Sequence, residues 1–95
     1  MALVLVDAEN VRRSQWPNLR REELVQRARA WGEREGHDVC VVFEGAQSAD
    51  DEIAALAAAH DGAPLWVVTS DRELRGRVGP YADRVIGGGS FVGSL

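Results

Sequence analysis

Acidic side chains follow three separate apolar segments of this 95-residue chain. Asp7 ends an unbroken run of Val and Leu, Asp50 follows the apolar run that ends at Phe43, and Asp71 follows the run that begins at Leu65. Short uninterrupted apolar runs are typical of strands that are buried on both faces in a parallel sheet. The carboxyl ends of such strands share one edge, where open α/β sheets place their ligands. We therefore expect these three carboxylates to meet in one crevice.

A crevice lined by carboxylates points to a divalent cation. Two like charges about 4 Å apart repel by roughly 4 kcal/mol at an effective dielectric near 20, so a fold gathers them only with a cation, a shared proton or enough water. Mg²⁺ and Mn²⁺ prefer oxygen ligands. A metal held there can polarise a phosphodiester and activate a water molecule. Hydrolysis of RNA or DNA is therefore the chemistry that these residues indicate.

Local structure offers a competing explanation for several of these residues. Asp50, Asp51 and Asp71 lie where helices are expected to begin, and acids there are favoured by capping and by the helix dipole. Asp51 should project away from the apolar face of its helix, so capping explains it as well as function does. Asp7 ends a central strand, and capping does not explain it. Asn10 either forms a turn or holds substrate and ligands.

The elements that position these residues alternate between strand and helix. Apolar runs predict strands at residues 2–6, 38–43, 65–69 and 84–86, and helical spacing predicts helices at 19–35, 48–60 and 70–78. Such alternation implies right-handed crossovers and one parallel sheet. We predict a small Rossmann-like, three-layer α/β/α fold with strand order 2-1-3-4. Residues 11–18 are expected to form a loop, and residues 87–95 a glycine-rich tail.

Polar residues and one glycine mark where the predicted helices begin and end. Asn18 is expected to cap the first helix, Ser48 the second, and Ser70 together with Glu73 the third. Gly36 should end the first helix in the left-handed conformation that glycine adopts readily.

Composition excludes several classes of protein. A net charge of −4 argues against a uniformly basic nucleic-acid binder, and the single Cys40 excludes an internal disulfide. No targeting or membrane-spanning segment is recognisable, so the cytoplasm is the expected location. All 11 basic residues are Arg, whereas a receiver domain relies on a Lys. A haloacid-type phosphatase would need Asp-x-Asp after the first strand, where this chain has Asp7-Ala8-Glu9.

Residues 6–10, 48–53 and 67–72 read Val-Asp-Ala-Glu-Asn, Ser-Ala-Asp-Asp-Glu-Ile and Val-Val-Thr-Ser-Asp-Arg. These three segments, in this order, resemble the NYN domain, in the YacP-like branch of the PIN-like nucleases. Residues 85–92 also resemble the end of that family, so the similarity spans nearly all of residues 1–95 as a single domain. The resemblance implies a PIN-like fold and metal-dependent endoribonuclease activity with Mg²⁺ or Mn²⁺.

The resemblance also assigns roles to individual residues. It implies that Asp7, Asp50, Asp51 and Asp71 bind the metal, and that Asn10 accompanies the catalytic acids. Four arginines flank the expected crevice and are expected to neutralise RNA phosphates: Arg12, Arg13, Arg72 and Arg75. Because the segment between the first two strands is compact, a homodimer or a ribonucleoprotein partner is expected to complete the RNA-gripping surface.

Two alternatives stay open at this point. The first is a catalytically inactive PIN-like module for RNA binding or assembly, although such a module would be expected to lose acids that repel phosphate. The second is a toxin–antitoxin nuclease, which would use the same chemistry as a housekeeping ribonuclease.

Overall fold

The chain forms four strands and five helices, which the computed structural model describes over residues 1–95. In order they are β1 (Leu3–Asp7), α1 (Ala8–Arg13), α2 (Arg21–Glu35), β2 (Asp38–Val42), α3 (Ala49–Ala59), β3 (Leu65–Val68), α4 (Arg72–Val78), β4 (Arg84–Ile86) and α5 (Gly88–Ser94). None of the helices combines the length and the apolar composition needed to cross a membrane.

The sheet is entirely parallel, with strand order β2-β1-β3-β4. This confirms the predicted order. In the register of the sheet, Val6 of β1 is opposite Val68 of β3, and Asp7 is opposite Val42 of β2. The carboxyl ends of β1, β2 and β3 therefore open onto one rim, with β1 and β3 side by side at the point where the strand order reverses.

Helices cover both faces of the sheet, as the three-layer prediction required. Successive residues of a strand point to opposite faces, and β1 shows this directly. Val4 and Val6 contribute to a core shared with α1, α2 and α5, whereas Leu5 contributes to a core shared with α3 and α4. Because β1 is buried on both sides, its residues up to Asp7 are almost all apolar.

The prediction of a loop at residues 11–18 is wrong at its beginning. Helix α1 starts immediately after Asp7 and includes Val11, which is fully buried in the core. Glu9 lies one turn before Arg12 and Arg13, and such pairs at i, i+3 and i, i+4 stabilise short helices. Burial of the apolar side of the segment together with these ion pairs favours a helix over an extended loop.

The C-terminal segment is a helix, which corrects the prediction of a glycine-rich tail. Glycine has low helix propensity, so local sequence argues against α5. Tertiary packing outweighs this, because Phe91 is buried and lies edge-on to Trp31 with ring centroids 5.1 Å apart. Gly88 allows α5 to lie close to α1, since a Cβ there would lie 3.0 Å from Oδ1 of Asn10 and would push that side chain away.

Two of the predicted helix ends are confirmed. The hydroxyl of Ser48 accepts a hydrogen bond from the backbone N–H of Asp51 at 3.1 Å and caps α3. Gly36 ends α2 with φ of 77°, the left-handed conformation.

Two predicted caps are wrong. Helix α2 begins at Arg21 rather than next to Asn18, and its cap residue Arg20 makes no side-chain capping bond. In α4 the cap is Asp71, which accepts from the N–H of Leu74 at 3.1 Å. The hydroxyl of Ser70 is instead used as the acceptor for a backbone N–H of the last helix. Local sequence allows either Ser70 or Asp71 to cap α4. Asp71 caps it because the hydroxyl of Ser70 is bonded to the N–H of Gly88.

Candidate active site

The carboxyl ends of the strands open onto a crevice of about 230 Å³ with an entirely polar lining. It contains the three carboxylates that follow separate apolar segments in the sequence. The lining residues are Asp7, Glu9, Asn10, Arg13, Glu44, Asp50 and Asp71. The fold thus gathers acids from β1, α3 and the start of α4 that are up to 64 positions apart in the chain.

Asp7 lies at the base of the crevice and is 5% exposed. Its Oδ2 accepts a hydrogen bond from the hydroxyl of Thr69 at 2.9 Å. Burial raises the pKa of Asp7 above its usual value, and the nearby Asp50 and Asp71 raise it further, while the Thr69 hydroxyl partly opposes the shift. The ionised form of Asp7 is therefore disfavoured by its surroundings, and no basic side chain compensates it.

Asp50 lies in the first turn of α3 and forms no salt bridge. Burial raises the pKa of its carboxyl, the acids Asp71 and Glu44 raise it further, and Arg77 partly opposes them. Asp71 reaches the crevice from the other side, where its Oδ1 also caps α4. Capping and a site in the crevice are therefore compatible for Asp71.

Asn10 connects three segments around the rim. Its Oδ1 accepts the backbone N–H of Ser70 at 2.9 Å, and the hydroxyl of Ser70 accepts the N–H of Gly88 at 2.8 Å. The amide oxygen of Asn10 is thus committed to the structure, while the residue still lines the crevice. Asn10 holds the β3–α4 connection and the start of α5 against α1.

Thr69 is a site residue that sequence reasoning missed. It is fully buried, and besides donating to Asp7 its Oγ1 accepts the backbone N–H of Asp71 at 3.1 Å. One hydroxyl therefore positions two of the crevice acids. The only signal in the sequence is a hydroxyl residue at the end of an apolar run, and threonine is so common in strands that this signal is weak.

Asp51 does not join the other acids, contrary to the role that the family resemblance implies. It lies on the exposed side of α3, where its Oδ1 accepts a hydrogen bond from Nη1 of Arg77 at 2.9 Å. This bond lowers the pKa of Asp51. The residue therefore connects α3 to α4 on the outer surface instead of contributing to the crevice.

The four arginines that were expected to bind phosphate are placed differently from one another. Arg12 is engaged within the chain, because Nη1 contacts Oε1 of Glu9 at 2.6 Å and Nε donates to the carbonyl of Leu19 at 2.7 Å. Its role in RNA binding stays a prediction. Arg13 lines the crevice, and its side chain is 70% exposed. Arg72 and Arg75 are exposed on α4 and do not line the crevice.

Glu9 differs from the three aspartates because basic side chains surround it. Its Oε1 lies 2.6 Å from Arg12 and 3.9 Å from Arg13, and its Oε2 lies 3.7 Å from Arg21. Oε2 is buried and accepts no hydrogen bond. The charge of Glu9 is thus compensated by three arginines, whereas no salt bridge compensates the aspartates of the crevice.

The donor set of the crevice fits a hard divalent cation that keeps part of its water shell. Carboxylate oxygens are the ligands that Mg²⁺ and Mn²⁺ prefer, and Mg²⁺ commonly uses only one or two of them besides water and substrate phosphate. No three His, Cys, Asp or Glu side chains are arranged as a complete ligand set for a metal ion. Asp7, Asp50 and Asp71 therefore suit a hydrated ion better than a closed structural site.

Comparison with known proteins returns no relative. No protein-family model matches this chain, and no curated protein and no solved structure matches it. Function therefore has to be inferred from the crevice itself.

Proposed function

We propose that this chain is a metal-dependent endoribonuclease that hydrolyses RNA phosphodiester bonds at the crevice, with Mg²⁺ or Mn²⁺ as its cofactor. The observation that carries the proposal is the gathering of Asp7, Asp50 and Asp71 in one crevice without a salt bridge to any of them. Stability alone does not favour such a cluster, since like charges in a partly buried site repel. The resemblance to NYN domains supports the same conclusion, and we expect the reaction to take place in the cytoplasm.

Each crevice residue has a role in this proposal. The oxygens of Asp7, Asp50 and Asp71 would hold a hydrated cation, in part through its water molecules, and the hydroxyl of Thr69 orients Asp7. Arg13 extends from the rim and neutralises a substrate phosphate. A divalent cation bound there would polarise the phosphodiester and lower the pKa of an attacking water.

Asn10 keeps the crevice in shape in this proposal. Its hydrogen bond to Ser70 fixes the β3–α4 connection that carries Asp71. Accurate placement of such groups is what converts binding into catalysis. The catalytic set is accordingly Asp7, Asn10, Asp50 and Asp71, and Asp51 is removed from the metal ligands that the resemblance implies.

A second candidate is a catalytically inactive module that binds RNA or assembles with a ribonucleoprotein. The observation that favours it is the exposed Arg13 at the rim, which can contact a phosphate whether or not a metal is bound. The nuclease and the inactive module would bind RNA at the same rim of the crevice. A homodimer that completes the RNA-binding surface is compatible with both candidates.

Cleavage of labelled RNA separates the two candidates. We expect single-stranded or structured RNA to be cut with Mg²⁺ or Mn²⁺ and to stay intact in EDTA. Asp50→Asn should slow cleavage by at least about 100-fold. It alters a proposed metal ligand itself, whereas loss of a residue that only orients a ligand typically costs about 10- to 100-fold. Asp51→Asn is the matched variant, adjacent in the chain but facing outward, and should cleave like the wild type.

Two results would contradict the nuclease proposal. Cleavage that persists in EDTA would show that no divalent cation is needed. RNA that is bound but never cut, with any of these ions, would identify the inactive module. Equal losses in the two variants would return Asp51 to the metal site.

A further inference from the structure

The most basic segment of the chain, residues 11–21, begins beside the crevice, which Arg13 lines. Residues 11–21 contain four arginines and no acid, in a chain whose net charge is −4. Its exposed cations next to the crevice are Arg13 and Arg21, whose side chains are 70% and 65% exposed. Each lies near the carboxylate of Glu9, at 3.9 Å and 3.7 Å, without a hydrogen bond to it, so both can still turn towards a phosphate. A positive strip beside an acidic crevice is the charge distribution that a polyanion with one phosphate in the crevice requires.

The loop within this segment is held at both ends. We call residues 14–18 the Trp16 loop. Arg12 precedes the loop and Leu19 follows it, and two hydrogen bonds join them. Nε of Arg12 donates to the carbonyl of Leu19 at 2.7 Å, and the N–H of Leu19 donates to the carbonyl of Arg12 at 3.3 Å. Leu19 is itself buried in the core. Compact surface loops whose ends are close together are frequently functional.

Trp16 projects from this loop and is 90% exposed, the most exposed large apolar side chain of the chain. The other two tryptophans, Trp31 and Trp66, pack against other aromatic rings. Tryptophan usually contributes to a fold by burying its large ring, and Trp16 buries almost none of it. The ring is therefore free to contact a ligand without any rearrangement of the core.

Trp16 is also close to the crevice. It is three positions after Arg13, so their Cα atoms are at most about 11 Å apart even in extended chain. A nucleic-acid strand with one phosphate beside Arg13 can therefore place a neighbouring base at Trp16. Exposed aromatic rings next to arginines are the surface on which unpaired bases stack.

We propose that the Trp16 loop is a binding subsite for one unpaired base of an RNA strand, with Arg13 and Arg21 neutralising the adjacent phosphates. This inference rests on the proposed function in taking RNA as the ligand. A base within a duplex is already stacked on its neighbours and cannot present its face to Trp16. The subsite therefore favours single-stranded RNA over double-stranded RNA, and Arg12 serves it by holding the loop rather than by contacting phosphate.

Binding without cleavage tests this subsite. The affinity of a fluorescently labelled single-stranded oligouridine is measured by anisotropy in EDTA, for the wild type, Trp16→Ala, Trp16→Phe and the control Tyr81→Ala. Tyr81 is also an exposed aromatic residue, at 51%, and lies outside both the crevice and the loop. We expect Trp16→Ala to weaken binding by about 5- to 100-fold, because one stacked base is lost. Trp16→Phe should retain most of the affinity, and Tyr81→Ala all of it.

Salt dependence distinguishes stacking from electrostatic binding. The slope of log Kd against log salt should be unchanged in Trp16→Ala. In Arg13→Ala it should fall by about 0.7, the value for one phosphate contact on a single strand. Trp16→Ala should leave any affinity for a labelled RNA duplex unaltered.

Three results would overturn the proposal. They are wild-type affinity for oligouridine in Trp16→Ala, an equal loss in Tyr81→Ala, and no measurable binding of oligouridine by the wild type at low salt. If Trp16 binds a protein instead of RNA, the wild type should show no measurable binding of oligouridine. Because EDTA prevents metal-dependent cleavage, this binding assay can establish the subsite even if the nuclease proposal fails. If the wild type cleaves RNA but Trp16→Ala binds oligouridine with the wild-type Kd, the subsite alone is refuted.

Discussion

The crevice and the outer surface of α3 place neighbouring carboxylates in opposite environments. Asp50 faces the crevice, where burial and other acids raise its pKa and no salt bridge forms. Asp51, the next residue, faces outward and binds Arg77 at 2.9 Å, which lowers its pKa. The salt bridge of Arg77 is thus formed with Asp51, and Arg77 opposes the pKa rise of Asp50 only in part. Local conflicts of this kind are expected where function, rather than stability, selects the residues.

Glu9 sharpens the same comparison within the crevice. Three arginines surround it, although it lines the same crevice as Asp7. The arginines next to the crevice thus compensate the glutamate of α1 and leave the aspartates unpaired. Repulsion is concentrated on the carboxylates that we propose as metal ligands.

The largest expected effect comes from Asp7→Asn. A folded-state pKa above the unfolded value of 3.8 means that Asp7 contributes stability below that pH and loses it as pH rises through the folded pKa. We expect Asp7→Asn to be more stable than the wild type at pH 7, with the difference disappearing below pH 3.8. RNA cleavage should be abolished. Urea unfolding at both pH values, together with the cleavage assay, measures these effects.

The Asn side chain retains an oxygen that can accept from Thr69, so the variant is expected to fold. Asp7→Asn that is less stable than the wild type at pH 7 would show that the carboxylate stabilises the crevice, and the comparison with Asp51 would fail. Retained cleavage would remove Asp7 from the catalytic set.

A smaller effect is expected from Thr69→Val. The substitution keeps the shape of the side chain but leaves the carboxylate of Asp7 and the N–H of Asp71 without their shared partner. Buried polar groups that lose a partner typically cost about 1–3 kcal/mol, and loss of a hydrogen bond that orients a ligand typically slows metal-dependent reactions by about 10- to 100-fold. The free energy of unfolding and the cleavage rate both report the change.

Thr69→Ser is the matched control, since it keeps the hydroxyl and removes only a methyl group. It should retain most of the activity that Thr69→Val loses. If both variants lose cleavage to the same extent, the methyl group and not the hydroxyl positions the acids.

The smallest effect is expected from Asp51→Asn. Because the Arg77 bond lowers the folded pKa of Asp51, its contribution to stability is present above the unfolded pKa of 3.8 and is lost as pH falls through the folded pKa. The variant should therefore be slightly less stable than the wild type at pH 7, opposite in sign to Asp7→Asn. Exposed pairs contribute little and are screened by salt. Thermal unfolding at low and high salt should show the difference shrinking as salt rises.

Much of the fold was predictable because it depends on local apolar pattern. The four strands, their order and helices α2, α3 and α4 follow from apolar runs and helical spacing, which report which faces must be buried. Helices α1 and α5 were missed for the opposite reason. Val11 and the pair Phe91-Val92 lie in otherwise polar or glycine-rich sequence, and only the core that they contact makes these segments helical.

The residues of the crevice divide in the same way. That Asp7, Asp50 and Asp71 would share an edge follows from their positions at the ends of strands and beginnings of helices, which the sequence by itself determined. The tertiary structure alone decided which partner each side chain receives. The Thr69–Asp7 and Arg77–Asp51 bonds join residues 62 and 26 positions apart. Burial is encoded by local periodicity, whereas hydrogen bonds and ion pairs depend on atoms that become neighbours only when distant segments pack.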